Sequence, residues 1–168
     1  MLIREKDFHN IQLLRIREDY ELSSLVSLHD LIDKNIVESS VVNKEDNFLC
    51  FNNGFKKSKI SIQNKVVEKV NFRIIEITLQ DKNTITENFT LIASETTKFL
   101  CDITHYHSDF IFCKDLAIGS RIKNFLPFTK YIVTKNDHMD YTGDVVDINS
   151  INNYGLFINI NNNYFVVK

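Results

Sequence analysis

Four side chains able to ligate zinc fall within 13 residues: Cys101, His105, His107 and Cys113. Thiolate and imidazole are the donors of a tetrahedral zinc site, each within about 2.0–2.3 Å of the ion. Their spacing, however, is that of a hairpin, because KFLCDI (98–103) and FIFC (110–113) flank the polar stretch THYHSD. With the turn centred on His107, Cys101 and Cys113 face each other across the ladder. His105 then stands roughly 13 Å from Cys101, at about 3.3 Å per strand residue. Two core thiols under a solvated His-x-His turn are therefore expected, with a four-ligand metal site as the alternative. A cross-strand disulfide is disfavoured in a reducing compartment.

A second cluster, Asp137, His138, Asp140 and Asp144, lies in KNDHMDYTGD. Carboxylates at this density suit a hard cation, but the spacing matches no EF-hand loop, and a polar surface loop is expected. No phosphate-binding glycine loop, dinucleotide fingerprint or nucleophile elbow occurs. His9, His29 and His138 have no neighbours in sequence that suggest a triad. Lys56, Lys57 and Lys59 form the densest basic run, and a solvated strand end accounts for it.

The elements that must position these groups follow from composition and period. The 168 residues are 43% hydrophobic, enough for one domain with a full core. With 21 Ile, 13 Phe and 6 Tyr against one Pro and four Gly, the side chains suit pleated, half-buried surfaces. Near the start, FHNIQLLRIR (8–17) fits a strand or a short helix. Tyr20, Leu22, Leu25, Val26, Leu28, Leu31, Ile32 and Ile36 recur every three or four residues, which predicts an amphipathic helix over 19–36 capped by Asp19.

Beyond residue 38 the period becomes two. Asn52-Asn53-Gly54 signals a hairpin, Gln80 to Asn83 a second turn, and only Pro127 interrupts the later strands. Nine or ten short strands after one helix predict a mostly β fold, a single compact sandwich or barrel-like domain at 43–168. Residues 1–42 are expected to form an N-terminal arm, joined near Asn43–Asn47.

The same totals bound the partners. A net charge of −2 sets up no field that draws nucleic acid or an anionic membrane. The charged N-terminus, MLIREKDFHN, does not read as a signal peptide, and the odd count of three Cys does not suggest a secreted disulfide scaffold. A cytoplasmic protein, or a component of a particle assembled there, is expected, without a cofactor. The 19 Asn, with abundant Ile and Lys, suit an AT-rich genome such as that of a phage or a low-GC bacterium.

From about residue 48 onward the order of features resembles the Hint domain of inteins and hedgehog-type autoprocessing proteins. LCFNNGFKKSKI is similar to the strand-turn segment that follows the family's nucleophile. RIIEITLQDKNTITENFTLIAS is similar to its long hairpin, and YGLFINI-NNNYFVV to its closing strand pair. Asp115-Leu116-Ala117-Ile118-Gly119-Ser120-Arg121-Ile122 resembles the family's "A-x-L-x-x-G-D-x-I" segment. The resemblance implies a Hint-like β fold and asks for a nucleophile, Cys or Ser, about a dozen residues before the turn glycine. Counting back from Gly54 reaches Val42, with Ser39 and Ser40 nearby and Cys50 too close to the turn.

Where the resemblance places a TxxH histidine, Ser94-Glu95-Thr96-Thr97 ends in threonine, which cannot relay a proton near neutral pH. A literal TxxH, Thr104 to His107, comes one strand later, and the terminal His-Asn of a splicing intein is absent. The expectation is a non-catalytic structural module that packs against other proteins, as a homo-oligomer or within an assembly such as a virion. The alternative is self-cleavage with Ser40 or Cys50 as nucleophile and His107 as acid/base.

Overall fold

A computed structural model describes residues 1–34, 41–79, 88–125 and 128–168. Its strands are β1 (Leu2–Arg4), β2 (Gln12–Ile16), β3 (Leu22–Ser27), β4 (Val41–Phe51), β5 (Phe55–Leu79), β6 (Asn88–Ser94), β7 (Lys98–Asp102), β8 (Ser108–Phe112), β9 (Arg121–Phe125), β10 (Phe128–Ser150), β11 (Gly155–Ile160) and β12 (Asn163–Val167). One helix, α1 (Leu28–Lys34), follows β3. The strands join in one antiparallel sheet, so the mostly β expectation holds.

The helix expected at 19–36 is corrected. Residues 22–27 form β3, paired with β2 in the register Leu13↔Val26 and Leu14↔Leu25, and the helix has only seven residues. Serine and valine are weak helix formers, so pairing with β2 overrides the three-four pattern in Leu22–Ser27. Asp19 accepts the Glu21 N–H at 3.1 Å in a turn with Tyr20 at φ 67°, while Ser27 caps the true helix by accepting the Asp30 N–H at 3.1 Å.

The described residues within 1–42 do not stand apart as an arm. Leu2 pairs with Asp147, Leu13 with Ile158, and β4 runs across the expected joint at residues 43–47. Among the turns, Asn52–Gly54 forms the expected hairpin, with Phe51 opposite Phe55 and Asn53 and Gly54 both at positive φ. The turn expected at Gln80–Asn83 and Pro127 lie outside the described residues.

Two long strands form the frame. β5 and β10 pair from Ile60↔Ser150 to Leu79↔Tyr131, with bulges at Val133/Lys135 and Tyr141/Gly143. Gly143 sits in the second bulge at φ 138°, where a Cβ would also lie 3.1 Å from the Tyr141 hydroxyl.

Strand alternation puts two apolar clusters on opposite faces of the sheet. Leu13, Phe99, Cys101, Leu156, Ile158, Phe165 and Val167 join the main core, whereas Leu14, Leu100, Phe157 and Val166 join a smaller outer one. In the main core the Phe165 ring lies 5.8 Å from Tyr131 and 6.2 Å from both Phe89 and Phe99.

Candidate functional site

The segment at the resemblance's histidine position, Ser94 to Thr97, is the loop between β6 and β7. Its backbone is closed by Glu95 N–H to Asn71 at 2.9 Å and Thr97 N–H to Ser94 at 3.0 Å. The hydroxyls of Ser94 and Thr97, both fully buried, share a hydrogen bond of 2.8 Å, and Thr96 Oγ1 lies 3.3 Å from Ser94 Oγ. Pairing that is remote in sequence brings other segments to this loop. Lys98 exchanges two backbone hydrogen bonds with Lys168, at 2.8 and 2.9 Å, and β1 lies on β10.

A cleft of about 380 Å³ results, lined by Met1, Leu2, Lys65, Thr96, Lys98, Asp147, Asn149, Asn153 and Lys168. Asp147 accepts from Lys65 at 2.9 Å, from the Met1 ammonium at 3.1 Å and from Asn149 at 2.9 Å. Burial would raise its pKa, but these bonds outweigh burial and hold the carboxyl below its ordinary range. Burial in turn lowers the Met1 amine, against the pull of Asp147. Among the described residues no Cys or His lines the cleft. Thr96 is the one exposed hydroxyl among the described lining residues, and the polar groups around it are amines, amides and the Asp147 carboxylate rather than an imidazole.

The sequence-predicted residues go elsewhere. Cys50 is fully buried on β4, its thiol directed at the Phe48 carbonyl at 3.5 Å and pushed up to about 12 by burial. Cys101 is also buried, raised to about 12 by burial and then by Asp102; burial raises Cys113 strongly too. A thiol held protonated in this way is inert as a nucleophile. Ser39 and Ser40 lie outside the described residues.

Cys101 does not face Cys113, which corrects the expected register. Cys101 pairs with Asp109 around a turn at 103–107, and Cys113 begins a 3-10 turn whose N–H donates to Thr97 at 2.7 Å. His105 and His107 are exposed on that turn, on the far side of β7 from the 94–97 loop. The four zinc candidates are thus split between core and solvent. Among the described residues no three His, Cys, Asp or Glu side chains gather as a metal would need.

The 137–144 carboxylates lie along β10 rather than in a loop, and lysines already face two of the three, Asp137 and Asp140. His138 bridges Asp140 at 2.7 Å and Glu95 at 3.4 Å, Lys69 reaches Asp140 at 3.2 Å, and Lys135 reaches Asp137 at 3.0 Å. Asp144 contributes its carbonyl to the Tyr141 hydroxyl at 3.0 Å.

One residue that holds the site together carries no sequence signal. Asn136 donates to the carbonyls of Cys113 and Leu116 at 2.9 and 2.8 Å, and accepts from Arg73 at 2.8 Å. It fastens the Asp115–Ile122 segment to the long strands. In that segment Gly119 turns the chain at φ 91°, donating to Val133 at 2.8 Å. Within the polar run Thr134–His138, Asn136 looks like any solvent-facing position until its partners are known.

Solved structures share this fold. The transcription factor IIB Mvu mini-intein has 13% identity and a TM-score of 0.59, over 96% of this chain and 98% of that one. The KlbA intein precursor from Methanococcus jannaschii has 16% and 0.56, over 94% and 91%. The bacterial intein-like domain from Clostridium thermocellum has 12% and 0.54, over 94% of each chain. No protein-family model and no curated protein matches the sequence. The likeness therefore extends well beyond residues 48–168, across nearly the whole chain, and it is a likeness of fold.

Proposed function

We propose that this chain, an intein (Hint) fold, serves as a non-catalytic module that packs against other proteins. One observation carries the proposal: the loop at the family's histidine position ends in Thr97, fully buried and bonded to Ser94, beside a cleft lined by neither Cys nor His among the described residues. An acyl shift needs a nucleophile and a group that exchanges protons near neutral pH in mutual reach. Thr97 supplies no such group, and burial keeps Cys50, Cys101 and Cys113 protonated. Protein partners, within a homo-oligomer or a larger particle, are the setting we propose for such a scaffold.

Intact mass spectrometry of N-terminally tagged protein, before and after a day at neutral pH with thiol and hydroxylamine, tests this. An unchanged mass is expected. A fragment ending just before Ser39, Ser40 or Cys50 would overturn the proposal in favour of self-cleavage.

A further inference from the structure

The outer face of the sheet is unlike an ordinary solvated face. Among the described residues, its buried cluster of Leu14, Leu100, Phe125, Phe157 and Val166 is covered by half-exposed side chains of the same face, including Phe51 and Phe110. Phe55 is 56% exposed and its ring lies 5.7 Å from Phe157; Phe112 is 36% exposed. A contiguous aromatic surface of this kind marks an interaction site.

Its charges are one-sided. The ammonium of Lys98 lies 4.5 Å from the Phe112 ring centre, that of Lys114 5.6 Å from the same ring, and that of Lys168 5.4 Å from Phe110. Among the described residues no carboxylate pairs with these three lysines. Asp102, on the same face, is already held by Lys130 at 2.9 Å and Lys123 at 3.3 Å.

We infer that this face docks an acidic, apolar segment of a partner protein, its carboxylates meeting Lys98, Lys114 and Lys168 and its apolar side chains covering Phe110 and Phe112. The inference rests on the interaction-module proposal and gives it a surface and a partner chemistry. A second copy of the chain fits less well, because among the described residues the carboxylate this face offers, Asp102, is already held by its own lysines. Strand addition at the β8 edge does not fit, since the Phe110 N–H is already taken by its neighbour Asp109 at 2.7 Å. The partner therefore lies across the face.

The test pans a yeast-displayed library of random peptides against the full chain and counter-screens with Lys98→Glu/Lys114→Glu and, separately, Phe112→Ser. Circular dichroism checks that each variant is folded. Enriched peptides combining Asp or Glu with apolar residues, and binding each variant at least tenfold more weakly, are expected. Enrichment of basic peptides, or of none that the variants weaken, overturns the inference. So does tighter binding of oligothymidylate or phosphatidylserine vesicles than of any peptide, or dimerisation that Phe112→Ser abolishes. Intact mass of the same sample separates the two proposals: cleavage sinks the non-catalytic one, whereas an uncleaved chain without face-dependent binding sinks the docking face alone.

Discussion

Strand β7 has a loop at each end, and the two are opposites. At its start, Ser94–Thr97 is folded against the interior, its hydroxyls bonded to one another, beside a cleft made by segments from both halves of the sequence. At its end, the 103–107 turn carries both histidines into solvent. There the Ile103 and Thr104 N–H groups close on the His107 carbonyl at 2.9 and 3.1 Å, and Tyr106 is fully exposed. The literal TxxH string sits on a solvent-exposed turn, whereas the 94–97 loop beside the cleft carries threonines and no histidine. Proton-transfer chemistry needs residue type and position together. Among the described residues the two do not coincide.

Breaking the buried loop should cost the most. Ser94→Ala leaves the Thr97 hydroxyl buried without its partner, and a loss of about 1–3 kcal/mol is expected from urea unfolding. An unchanged midpoint would mean that the loop is not the tightly held element described. Between the two loops lies Asp102, whose carboxylate is bonded by Ser108 at 2.9 Å as well as by the two lysines.

Burial would raise the Asp102 pKa, yet the bonds to Lys130, Ser108 and Lys123 hold it below the usual range. A depressed folded-state value stabilises above the unfolded carboxylate range and is lost as pH falls through the folded one. Asp102→Asn should therefore cost about 1–2 kcal/mol at neutral pH, with the gap to wild type closing in acid. Equal urea midpoints at neutral pH would remove Asp102 from the account. The smallest effect is expected at the exposed turn: His105→Ala/His107→Ala should shift stability by no more than about 0.5 kcal/mol. A larger loss would give the turn a structural role that its solvation does not suggest.

How far the sequence carries can be judged from the same residues. A turn was legible where a backbone angle demands a residue type, at Asn53 and Gly54 in the first hairpin. Strand content was legible from β-branched and aromatic side chains. What depends on remote partners was not. Leu22 to Leu31 satisfies a helical period, and only pairing with β2 makes its first half a strand. The Cys101 register turned on a turn centre two residues from the one expected. The cleft escaped notice because Met1, Thr96, Asp147 and Lys168 become neighbours only through the ladder.

That ladder also governs how the chain reaches its structure. β1 finds its partner at residues 145–147, and β5 finds one that begins about seventy positions past its own start. Chains dominated by such distant pairings fold slowly, on a timescale of about milliseconds to seconds. As residues emerge from the ribosome, β1 must wait until β10 has been made, with the edges of the earlier strands exposed meanwhile. Aggregation during synthesis, more than loss of the finished fold, is therefore the hazard this topology sets for the cell that makes it.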